Sequence, residues 1–107
     1  MSDERKTKDW EAWIDLMPGK EPTLHVIGYV EVPTSGYTAE LSAHTPPGIN
    51  PRDLILDLKV IEPQPGEPVL DVIEWIPAEY KQPAEKGQYD TVTVLGGEAS
   101  IPVKETT

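Results

Sequence analysis

The chain has 107 residues, with nineteen acidic side chains, nine basic ones and a formal charge of −10. That size suits one domain with a single core. The acidic balance argues against nucleic-acid or anionic-membrane partners, because phosphate recognition rests on clustered Lys and Arg. Cysteine is absent, which excludes disulfides, thiolate metal sites and cysteine nucleophiles.

Residues 1–8 are polar, lack apolar periodicity and read as a disordered tail. They also lack the apolar stretch of a secretory signal. The expected compartment is the cytoplasm, or the exterior if the native N-terminus is missing. No apolar run reaches the ~18 residues that a membrane helix needs.

The domain is expected over residues 9–104, with 105–107 as a second short tail. In "DWEAWIDLMPG", Trp10, Trp13, Ile14 and Met17 match a helical i, i+3, i+4, i+7 pattern. Asp9 is placed to cap such a helix and Pro18-Gly19 to stop it. The reading leans to a short helix, with an edge strand as the alternative. Leu24–Val32 is a strand by alternation, with Leu24, Val26, Gly28, Val30 and Val32 on one face. His25, Ile27, Tyr29 and Glu31 lie on the other. Tyr37–His44 alternates similarly. Between these two, "PTSGY" has Pro33 preset for a type I turn and Gly36 able to take positive φ. A four-residue hairpin loop there pairs Val30 with Ala39 and His25 with His44.

In "NPRDLILDLKVIEP", Leu54, Leu56, Leu58 and Val60 alternate strictly, which favours a strand over a helix start at Asn50-Pro51. Val69–Tyr80 reads as a long strand that Pro77 confines to an edge or bulge. Tyr89–Leu95 and Ser100–Val103 follow, joined by a "GGE" turn. The fold class expected is all-β, an antiparallel β-sandwich of about six or seven strands with immunoglobulin-like organisation. Trp75 resembles the buried tryptophan of that architecture, although the flanking cysteines are missing. Strand alternation places the loops 33–36, 62–68 and 96–98 at one end. Loops 45–53 and 81–88 fall at the other.

The candidate chemistry is sparse. His25 and His44, if paired, provide two metal ligands, and a zinc site would need a third or fourth. Ser42 shares a strand face with His44, but no nucleophile-elbow motif occurs. Glycine-rich phosphate loops and calcium-loop spacing are absent. Tyr29 and Ile27 on a nominally outer face imply cover by a second layer or exposure to a partner, and cover is favoured because no phenylalanine exists to fill the core. The long loop His44–Asp53 is the best location for a ligand, since loops on rigid β scaffolds often carry function.

The functional expectation is a small, acidic, non-enzymatic interaction module without cofactor, monomeric or weakly dimeric. It would bind a protein or peptide through His25, His44, Tyr29, Asn50 and Asp53. The alternatives are a metal-binding protein or metal enzyme built on His25 and His44, and a homodimeric structural protein.

Overall fold

A computed structural model describes residues 6–97 and 99–106. Seven strands run in chain order: β1 Thr7–Asp15, β2 Thr23–Val32, β3 Thr38–Ala43, β4 Asp53–Ile61, β5 Glu74–Pro83, β6 Thr91–Leu95 and β7 Ala99–Thr106. They form one sheet in the order β3-β4-β6-β7-β1-β2-β5. The sheet curls until its two end strands, β3 and β5, approach one another across a depression between Leu41 and Pro77. No helix among the described residues is long and apolar enough to cross a membrane.

The all-β class holds, but an immunoglobulin-like pair of stacked sheets is not confirmed. β7 pairs with both β6 and β1, so the hydrogen bonding is continuous. Two ladders, β1–β7 and β4–β6, are parallel. Their origin is simple. Successive strands reverse direction, so any two odd-numbered or two even-numbered neighbours must run the same way.

The segment read as a helix is β1. A bulge between Lys8 and Glu11 sets Asp9 and Trp10 against the single residue Gly28 of β2. Asp9 takes a φ of 56°, a left-handed conformation that Asp tolerates better than most residues and that suits a bulge. The extra residue turns Trp10 inward, while Ala12 and Ile14 behind it are almost fully buried. The helical pattern also required Met17 inside, and Met17 is 49% exposed.

The hairpin expected between Leu24–Val32 and Tyr37–His44 does not form. Gly36 has the positive φ the corner needs, 90°. Beyond it the chain leaves β2 and pairs with β4, Leu41 opposite Leu58. β2 lies between β1 and β5, with Val30 opposite Thr7 and Ile76. The faces were nevertheless right. Leu24, Val26, Gly28, Val30 and Val32 are all buried, and the intervening residues are half-buried.

Other boundaries also move. Thr7 and Lys8 belong to β1 rather than to a tail, and Glu105 and Thr106 to β7. Residues 1–5, Glu98 and Thr107 lie outside the described residues. Residues 69–73, expected in a strand, precede β5 without strand pairing. Trp75 is 37% exposed at the start of that end strand, not buried on a central one.

The core is aliphatic. Ile14, Leu24 and Leu56 are completely buried, joined by Val26, Val30, Val92 and Val94. Each such side chain contributes about 1.5–3 kcal/mol by leaving water. Trp10, Tyr80 and Tyr89, partly buried, pack against this core. Tyr29 and Ile27 remain half-buried on the outer face, with Lys8 and Pro77 beside Tyr29 in the neighbouring strands.

The loops gather as strand reversal demands. At one end, Ser35 meets Leu70, and Thr7 Oγ1 donates to the Gly97 carbonyl at 2.9 Å. At the other, the Asp90 amide donates to the Arg52 carbonyl at 2.8 Å.

Candidate functional site

The second end contains a cavity of about 240 Å³. Its walls are Leu54 and Ile55 from β4, Pro47, Gly48 and Pro51 from the loop after β3, and Tyr89 from the segment before β6. The loop is pressed against the sheet at Gly48, where an added Cβ would fall 2.6 Å from Ile55 Cδ1. His44, Thr45, Asn50 and Asp53 supply the polar part of the lining.

His44 is anchored twice. Its amide donates to the Ile55 carbonyl at 2.9 Å. Its Nδ1 lies 3.0 and 3.1 Å from the two carboxylate oxygens of Asp57. A carboxylate only accepts, so Nδ1 carries the proton and Nε2 of the neutral ring is an acceptor. The pair is partly solvated, with side chains 35% and 45% exposed. Surface pairs of this kind add little stability; here the carboxylate mainly orients the ring.

Asp53 accepts from the hydroxyls of Thr91, at 3.0 Å, and Thr93, at 2.9 Å. That ties β4 to β6 under the cavity. Asn50 shapes the entry to β4. Its Oδ1 accepts from the Arg52 amide at 3.0 Å and its carbonyl from the Asp53 amide at 3.1 Å. Arg52 clamps Asp90 with two bonds of 2.6 Å. The guanidinium's hydrogen bonds hold the Asp90 carboxyl below its ordinary range. Tyr89 is fixed at its hydroxyl, which accepts from Gln82 Nε2 at 2.9 Å, and Gln82 Oε1 accepts from Tyr80 at 2.7 Å.

Three of the five nominated residues, His44, Asn50 and Asp53, thus line one cavity. His25 and Tyr29 do not. His25 sits on β2, its ring stacked on Trp13 with centroids 5.1 Å apart and its backbone opposite Lys81. The His25–His44 pair therefore does not form, because it depended on the missing β2–β3 ladder. Among the described residues there is no group of three or more His, Asp or Glu side chains that could hold a metal ion. Ser42 stands opposite Asp57 in the ladder, but no hydroxyl among the described residues hydrogen-bonds His44, so a nucleophile–base–acid relay is not assembled.

Asp57 and Tyr89 belong to the site and were not nominated. The signal for Asp57 was available, since Leu56 and Leu58 facing inward force it outward. What was missing was the neighbour, β3, that brings His44 to it.

The chain matches no protein-family model, and no curated protein or solved structure is detectably similar to it.

Proposed function

We propose that this protein is a small non-enzymatic binding module whose ligand site is the cavity beside His44. One observation carries the reading: mainly apolar walls enclose a small cavity whose lining includes His44, a ring oriented by Asp57 and with no hydroxyl among the described residues hydrogen-bonded to it. At about 240 Å³ the cavity is smaller than the ~300–1,000 Å³ usual for whole small molecules. It suits a side-chain-sized apolar group bearing one hydrogen-bond donor, such as a phenol or indole presented by a protein or peptide.

The test is an NMR titration with p-cresol. Shifts should concentrate on Ile55, Tyr89 and the His44 ring. His44→Ala removes the acceptor and should weaken binding roughly fivefold, in line with the ~1 kcal/mol of one net hydrogen bond. Absence of localised shifts at millimolar ligand would remove the support for this site. Ester hydrolysis abolished by both Ser42→Ala and His44→Ala would instead favour an enzyme.

A further inference from the structure

Five of the protein's exposed large apolar side chains are consecutive or nearly so: Val69, Leu70, Val72, Ile73 and Trp75, at 40, 67, 48, 69 and 37% exposure. The others among the described residues, Met17, Ile49 and Leu95, are isolated in sequence. Single exposed apolar residues are ordinary, whereas five within one seven-residue segment call for an explanation. Local folding does not provide one. Residues 69–73 belong to no strand, yet the segment is tethered. The Ser35 amide donates to the Leu70 carbonyl at 3.0 Å, and the Leu70 amide donates to Ser35 Oγ at 2.7 Å. The apolar side chains are therefore displayed from a pinned backbone.

Charge identifies the partner. Between Val60 and Tyr80 the chain carries Glu62, Glu67, Asp71, Glu74 and Glu79 and no lysine or arginine. A cation from outside the stretch reaches it: Lys8 Nζ lies 4.3 Å from the centre of the Trp75 ring. That contact shows the chemistry the surface accepts, an ammonium group over an aromatic face beside carboxylates. A second copy of the chain would bring the same acids against these acids, on a molecule already at −10.

We propose that residues 69–75 are a docking surface for an extended, basic and apolar segment of another protein. Its aliphatic side chains cover Leu70 and Ile73, and its lysines or arginines meet Asp71 and Glu74. The proposal stands apart from the His44 cavity, which lies at the opposite end of the sheet.

The experiment is calorimetric titration of the full chain with a short synthetic peptide alternating lysine and valine. Peptides alternating lysine with serine and glutamate with valine serve as controls. Leu70→Ser with Ile73→Ser leaves the charge unchanged and alters only exposed positions. It should weaken the lysine–valine peptide roughly tenfold or more, while His44→Ala should not affect it. Asp71→Lys should weaken it too, and added salt should lessen that difference. Unchanged affinity in the double variant, equal binding of the lysine–serine peptide, or no binding would each overturn the proposal. A dimer in sedimentation that the double variant dissociates would overturn it as well, by making the occupant a second copy.

Discussion

Gly28 shows how one missing side chain shapes this protein. A Cβ at this position would lie 2.3 Å from two ring atoms of Trp10, far inside contact distance. The indole thus occupies the space that a side chain on β2 would fill, and the bulge at Asp9 exists to turn it there. Two effects oppose each other in Gly28→Ala. Loss of glycine's backbone freedom favours the variant by about 0.5–1 kcal/mol. Overpacking against a ring held in the core costs about 1–3 kcal/mol and should win. Chemical denaturation should therefore show net destabilisation, and the cost should vanish in a Trp10→Ala background. Equal losses in both backgrounds would mean that the ring is not what Gly28 makes room for.

At the scale of elements, the corner Pro33–Gly36 has a larger role than reversing the chain. Gly36 provides the turn, and its Cα approaches the Glu62–Pro68 loop so closely that an added Cβ would lie 3.0 Å from Pro63 Cβ. Ser35 secures Leu70 from the same corner. Ser35→Ala removes the acceptor for the Leu70 amide but leaves the backbone bond to the Leu70 carbonyl. Hydrogen exchange should show the Leu70 amide losing protection, while amides of the β1–β2 ladder keep theirs. Unaltered exchange at Leu70 would show that the segment is held by something other than this hydroxyl. Alternation of apolar residues marked β2, β3 and β4 correctly because burial on one face leaves a period of two, whatever the neighbour. β1 was obscured because its bulge interrupts that period and imitates a helical one over a single turn.

Across the whole molecule, closure depends on end strands that approach without continuing the ladder. The polar link from Tyr80 on β5 through Gln82 to Tyr89 joins one of those ends to the wall of the cavity. Burial, with a smaller contribution from the nearby Tyr89, raises the Tyr80 pKa above its usual value. A raised phenol pKa disfavours the charged form in the folded state. The stability it gives is complete below the unfolded value of ~10 and is lost as pH rises through the higher folded value. Melting temperature should fall at alkaline pH, and Tyr80→Phe, which cannot ionise, should lessen that fall. Identical alkaline profiles would show that Tyr80 does not contribute.

The amino-acid sequence by itself determined the all-β class, the inward faces of β2, β3 and β4, and the end at which His44, Asn50 and Asp53 meet. These follow from local alternation and from the reversal of direction at each turn. The tertiary structure decided which strand lies beside which. A period of two tells a strand which side to bury and is silent about its neighbour. Val30 can face Ala39 or Ile76 with equal burial. That freedom separated His25 from His44, gave His44 its Asp57, and produced parallel ladders where antiparallel ones were expected.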